Sequence, residues 1–457
     1  MASSSVPLTG RQSHLPPPRT ATPRSQALAA APLVPIALLF YSTLLPQEVR
    51  VSLAGQVIYP YRAATFILLP WLINRIVTGR LPFRAADLWM LTGVAWMVVS
   101  FVAFYGMGEG ISRGGALALD VIAPYLIARV CVRSFDDLRR LLVIAAPGLF
   151  LAGAGMMVES ITHRQLVRPM AAAIFGPLPY FENGQAVATA KDFNVVRLGL
   201  LRAAGPFSHP ILAGLFLASV LPLFINSALM KWPRKLGIAA GLMAIFSVSS
   251  AAFLSFIITG VLLGYDWFQT QARGIGWRFF IFCLSALILI VQVGSQNGVV
   301  PILVRYTLDP ATGWFRQLIW EYGTRSVAKH PWFGIGFTDY ERLPWMINSI
   351  DNHWLLLAVR HGYITPICIF LSCVVGIFSL SRMSVRVAEK DRKFAVGICV
   401  ALTGLVLSGF TTSYFGGTLT WFSMLIATTL SLGDIRTLRA GPAIPRELHA
   451  TATGTAT

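Results

Sequence analysis

The chain has 457 residues, 55% of them hydrophobic and only 12% charged, with a mean hydropathy of +0.65. A soluble domain carries about 25% charged residues, so the composition excludes an ordinary soluble enzyme and points to a polytopic membrane protein. The formal net charge of +18 does not argue for nucleic acid, because the basic residues sit in short segments between apolar runs, where they serve as orientation signals.

Residues 1–26 are rich in Pro, Ser, Thr and Arg and read as a disordered cytoplasmic tail, too polar at the start for a cleaved signal peptide. Apolar runs follow near 27–46, 59–77, 88–105, 114–132, 141–159, 209–229, 235–250, 251–268, 277–294, 354–381, 394–412 and 417–433. A bilayer crossing takes about 20 residues, so these predict an all-α polytopic membrane protein of about 12 transmembrane helices. The disputed stretch is 235–268, where Ser247, Ser249 and Ser250 lie at the middle and are expected to split one run into two spans.

Charge placement sets the orientation. Arg75, Arg80 and Arg84 fall in one connection, Arg129, Arg133, Arg139 and Arg140 in another, and Arg382, Arg386, Lys390, Arg392 and Lys393 in a third, all on the same side. The short connections on the other side hold little more than Arg50, Arg62 and Arg113. The positive-inside rule then predicts an even number of spans, both termini in the cytoplasm, and a second disordered tail over 434–457. The five cysteines all lie in or beside apolar runs, so neither a disulfide nor a metal site is expected.

Two long outer loops remain, 160–208 and 295–353, each longer than an ordinary connection. Arg202 lies in LLRAAGPFSHPILAG, beside Gly205-Pro206 and His209-Pro210. Its guanidinium is read either as a phosphate-binding fork or as a headgroup-level arginine that snorkels. A helix is predicted over 313–328, inside the second loop. On it Arg316 has no acid at helical spacing, whereas Arg325 meets Glu321 at i, i+4 and has a structural reading beside a substrate-binding one. His330-Pro331-Trp332-Phe333-Gly334-Ile335-Gly336 reads as a helix stop and a glycine turn. Asp351-Asn352-His353 stands at the mouth of the tenth span, where it offers an acid, an amide and an imidazole for proton transfer to and from a sugar hydroxyl, or else a helix cap. Arg360 lies two turns further, at a depth where ionisable groups are functional candidates.

The segments RAAGPFSHPILAG, FRQLIWEYGTRSVAKHPWFGIG and DNHWLLLAVRHG, in that order among many spans, resemble the bacterial O-antigen ligase/O-antigen polymerase superfamily. The resemblance covers roughly residues 60–430 in topology and about 60 residues in motif. It implies an integral-membrane glycosyltransferase of GT-C type in the bacterial inner membrane, without cofactor or metal. Its donor would be an undecaprenyl-diphosphate-linked oligosaccharide taken at the periplasmic face. Arg202 and Arg316 would hold the diphosphate, with His209, Arg325 and Arg360 as further substrate-binding candidates. The histidine slot of the ligase pattern holds Asp351 here, with Asn352, Gly362 and Thr365 in frame. That directs the expectation to an exopolysaccharide or O-antigen polymerase, in which Asp351 activates the acceptor hydroxyl and Asn352 and His353 support it. The family makes a polysaccharide copolymerase partner a further expectation. The rivals are a ligase that moves finished glycan to lipid A-core or protein, and a non-enzymatic transporter of lipid-linked glycan.

Overall fold

The computed structural model describes residues 32–53, 56–79, 81, 83–178, 195–272, 276–294 and 310–434. The tail expected at 1–26, all but Asp434 of the tail expected at 434–457, residues 179–194 of the first long loop and residues 295–309 of the second lie outside the described residues. Among the described residues about 74% are helical, in fifteen α-helices. In chain order these are α1 (Leu33–Ser42), α2 (Pro60–Val77), α3 (Asp87–Tyr105), α4 (Met107–Cys131), α5 (Phe135–Thr162), α6 (Val167–Phe175), α7 (Pro210–Asn226), α8 (Trp232–Leu242), α9 (Ser250–Gln271), α10 (Trp277–Gly294), α11 (Pro310–Lys329), α12 (His353–His361), α13 (Ile364–Ser384), α14 (Glu389–Ser408) and α15 (Gly416–Leu432).

By length and composition five of them, α3, α4, α5, α9 and α13, are long and apolar enough to cross a membrane. Many large apolar side chains on their outer faces are exposed, such as Leu151 on α5 and Phe378 on α13. Such faces suit a lipid environment, where apolar surface carries no penalty. Two antiparallel hairpins depart from an all-α expectation: Val51–Leu53 with Gln56–Ile58, and Val196–Arg197 with Leu200–Leu201. Both are short and sit between helices.

Local chemistry explains the boundaries. A capping box starts α5, with the Ser134 hydroxyl accepting from the Asp137 N–H and the Asp137 carboxylate accepting from the Ser134 N–H. Pro60 and Pro210 open α2 and α7 at a position that needs no N–H partner. The expected break in 235–268 falls at Val248-Ser249, between a 3-10 turn over Met243–Ser247 and the start of α9.

Close packing uses small residues. A side chain at Gly110 would run into the backbone of Val102, and one at Gly237 into the Phe224 ring, so α3 with α4 and α7 with α8 meet at glycine. The main core runs through α1 to α5, α7, α8 and α13 to α15. A second, smaller core joins α11, the following loop and α12 through Ile319, Val327, Ile335, Tyr340, Met346 and Leu355.

Two expectations are corrected. The span expected as one helix over 354–381 is broken at Gly362, which has φ +76° and separates α12 from α13. The reason is the HPWFGIG segment: a Cβ at Gly362 would lie 2.1 Å from the Trp332 carbonyl oxygen, and the Tyr363 N–H donates to the Pro331 carbonyl at 2.8 Å. The second concerns Arg129, expected among the basic residues of a connection, which lies instead in the last turn of α4. It is 2% exposed, and its guanidinium donates to both Asp87 carboxylate oxygens at 2.8 and 2.9 Å and to Ser431 Oγ at 2.8 Å.

Candidate functional site

Three pieces of chain, far apart in sequence, build one site. The first is the segment 195–209. Its fold depends on Glu159, a 1% exposed carboxylate at the end of α5. Glu159 accepts from the backbone N–H groups of Leu166 (3.0 Å), Val167 (2.9 Å) and Gly205 (2.9 Å). Ser160 Oγ donates to the Leu201 carbonyl at 2.8 Å, and the Ala203 N–H donates to the Phe246 carbonyl at 3.1 Å. These bonds fix the Gly-Pro-Phe turn, where Gly205 has φ +55°. Half-buried Arg202 and His209 flank that turn. His209 stands ahead of α7 and its Nδ1 accepts from the Ile211 N–H at 3.1 Å, which leaves the ring proton on Nε2.

The second piece is α11 with the loop after it. Arg316, Ile319 and Gly323 share one face at i, i+3, i+7, and a side chain at Gly323 would strike Leu355 at 2.7 Å. That contact seats α11 on α12 and turns Arg316 inward. Tyr340 belongs to the small core, and burial pushes its phenol pKa up.

The third piece is α12 with the residues before it. Asn352 is its N-cap: Oδ1 accepts from the Leu355 N–H at 2.9 Å and Nδ2 donates to the Phe410 carbonyl at 3.0 Å. The His353 N–H is shared between the carbonyls of Gly409 (2.7 Å) and Thr412 (3.1 Å). Its imidazole is 3% exposed, stacks on Tyr414 at 4.8 Å, and its Nδ1 faces the Tyr414 N–H at 3.4 Å. Asp351, just outside the cap, is half-buried, and among the described residues its carboxylate accepts one hydrogen bond, from Ser349 Oγ at 3.0 Å, and forms no ion pair.

A cavity of about 540 Å³ lies between the three pieces, and Arg202, His209, Arg316, Asp351, His353 and Arg360 all line it. Two of the expected site residues are elsewhere. Asn352 spends both ends of its amide on the cap, and Arg325 is exposed on α11 and paired with Glu321 at 2.5 Å. Arg360 lies in the last turn of α12 with its guanidinium over the Phe337 ring at 5.0 Å. Among the described residues it forms no ion pair. Its backbone is pinned by the Gly336 N–H, which donates to the Arg360 carbonyl at 3.2 Å.

Five arginines and three aspartates line the cavity. One pair cancels: Arg62 donates to both Asp120 oxygens, with Nε at 2.8 and 3.1 Å and a terminal nitrogen at 2.5 Å. A second aspartate, Asp339, is matched by Arg342 at 2.9 Å. Arg202, Arg316 and Arg360 bring to the same cavity guanidinium forks, which match phosphate oxygens and stay charged. Glu159, which braces the Gly205 turn, and the Arg62–Asp120 pair, which lines the cavity, were not among the site residues expected from the sequence. Their signal was position: an acid at the end of the fifth apolar run and another within the fourth. No protein-family model and no curated protein matches this chain.

Proposed function

We propose that this chain is a membrane-embedded glycosyltransferase that polymerises polysaccharide from an undecaprenyl-diphosphate-linked donor onto a lipid-linked repeat-unit acceptor. The observation that carries the proposal is the convergence on one cavity of Arg202, Arg316 and Arg360, from three separate chain segments, with the carboxylate of Asp351. In this reaction the Asp351 carboxylate takes the proton of the acceptor hydroxyl. The acceptor oxygen bonds to the anomeric carbon of the donor sugar, and the bond from that carbon to the diphosphate oxygen breaks. The lipid diphosphate leaves with the bonding pair. The arginines stabilise the charge that grows on it, and they act best when held in place beforehand in a site shielded from water. Neutral His209 donates from Nε2 to a phosphate oxygen, while His353 and Asn352 hold Asp351 at the cavity wall.

On this proposal the chain crosses the bacterial inner membrane about twelve times in a GT-C-type arrangement, with the cavity at the periplasmic face and both termini in the cytoplasm. A polysaccharide copolymerase is the partner to look for. The polymerase is preferred to a ligase because Asp351 meets the cavity with one neighbour, whereas the His353 ring is packed against Tyr414 and its Nδ1 faces a backbone N–H. It is preferred to a transporter because Asp120, the acid within the fourth apolar run, is already neutralised by Arg62.

The test uses cells without the gene, complemented with the parent, Asp351→Asn, His353→Ala or Arg316→Ala. Lipid-linked and surface glycan are then extracted and sized. Single repeat units on the lipid, with no polymer, are expected without the gene and for Asp351→Asn. Full-length polymer trapped on the lipid would instead make the protein a ligase.

A further inference from the structure

The cavity has a second wall that the phosphate and proton chemistry leaves unused. It is formed by the turn after α1 and the start of α2, where Gln47, Tyr59, Tyr61 and Arg62 line the space with Asp120 of α4. Gln47 is only 9% exposed, and among the described residues its side chain makes no hydrogen bond; its Oε1 is buried without a partner. A buried acceptor left in that state is costly and rare, and it calls for a donor from elsewhere. Room beside the amide is kept by Gly416, at φ +59°, where a Cβ would lie 2.8 Å from Gln47 Nε2. Tyr59 and Tyr61 present near-parallel rings, 9° apart in plane with centroids 6.1 Å apart. Because Arg62 and Asp120 neutralise each other, this wall carries no net charge.

An unpaired amide, flat aromatic faces and a self-cancelling ion pair are what a neutral sugar needs. Its hydroxyls donate and accept together, as an amide does, and its C–H faces pack on aromatic rings. A second phosphate would find no spare cation on this wall, and an acyl chain would leave the Gln47 oxygen unpaired. We infer that Gln47, Tyr59 and Tyr61 form a saccharide subsite that takes a neutral hexopyranose, the sugar nearest the diphosphate. The inference rests on the glycosyltransferase reading above and assigns the donor glycan to the wall made by α1, α2 and α4. Gln47 supplies the specificity, Tyr59 the face, and the Arg62–Asp120 pair holds α2 against α4 so that both stay in register.

The test separates the two walls. The full chain in lipid nanodiscs is presented with a panel of neutral disaccharides (maltose, lactose, cellobiose and chitobiose), followed by saturation-transfer NMR, and separately with farnesyl diphosphate, which carries no sugar. At least one disaccharide is expected to bind the parent. Gln47→Met, which conserves volume, and Tyr59→Ala are each expected to weaken it by about five-fold or more, the size of one lost hydrogen bond or ring contact. Farnesyl diphosphate binding should change by less than about two-fold in both. The inference is overturned if no disaccharide of the panel binds the parent, or if Gln47→Met binds it as the parent does. Disaccharide binding that persists in a parent unable to bind farnesyl diphosphate would sink the diphosphate reading and leave the saccharide subsite standing.

Discussion

Two arginines within the same helical bundle show how position changes what a charge does. Arg129 lies nine residues along α4 from Asp120, about 14 Å at 1.5 Å per residue. It is 2% exposed and fully answered, with two carboxylate oxygens of Asp87 and the hydroxyl of Ser431 within 2.9 Å, while Tyr125 also donates to Asp87. Arg360 sits on α12 at the cavity wall with its guanidinium over an aromatic ring and, among the described residues, no ion pair. A charge taken out of water must be paired or must wait for a partner. Arg129 is paired and fastens α3, α4 and α15 together. Arg360 faces space, and the partner it can take is an anion that comes and goes. The difference separates scaffold from site better than burial alone.

Substitutions that remove one kind of charge and spare the other sharpen this contrast. Asp351→Asn should have the largest effect: polymer formation is expected to fall by about 10²–10⁴-fold, the usual share of general base catalysis, while the melting temperature of the detergent-purified protein stays within error. A parallel loss of melting temperature would mean that Asp351 supports the fold and is not a base. Arg360→Ala is expected next, with activity down by about 10²–10³-fold and little change in stability. Arg129→Ala should do the reverse. It leaves Asp87 buried without its counter-charge, at a cost of about 3–5 kcal/mol, read as a lower thermal midpoint. Retained stability in Arg129→Ala would dissolve the contrast, since a buried and fully answered arginine would then be dispensable. Gly362→Ala should be intermediate, because a Cβ there meets the Trp332 carbonyl and the left-handed backbone costs roughly 1–2 kcal/mol by itself. Its signature is a shift at the α12–α13 junction, seen as faster amide exchange at Tyr363. The smallest effect is expected for Arg325→Ala. That exposed pair with Glu321 is worth about 0.5 kcal/mol or less, so both activity and melting should match the parent.

Much of the helical layout was legible in the chain. Apolar runs of sufficient length leave few alternatives to helix, because a backbone in lipid must satisfy its own hydrogen bonds. The break near Ser247–Ser250 could be read from local composition. The break at Gly362 could not, because its cause is the backbone of Trp332 crossing thirty residues away in sequence. The candidate site shows the same division. Arg202, Arg316 and Arg360 stood out as arginines in a mostly apolar chain, and Asp351-Asn352-His353 as a polar triplet before an apolar run. Which member of that triplet caps the helix was undecided until Asn352 was seen bonded to the Leu355 N–H and the Phe410 carbonyl.

By itself, then, the sequence determined the class of solvent this protein lives in, most of its helices, and the residue types able to handle phosphate and protons. Each of these follows from local composition, which acts over a turn or two of chain. The tertiary structure decided which charges cancel and which remain. Arg62 and Asp120 are 58 positions apart, Arg129 and Asp87 are 42, and both pairs are settled by packing. Glu159 became the brace of the Gly205 turn, and Gln47 was left with an unanswered oxygen, for the same reason. Coulomb and hydrogen-bond energies depend on distance in space, and only the folded chain sets that distance.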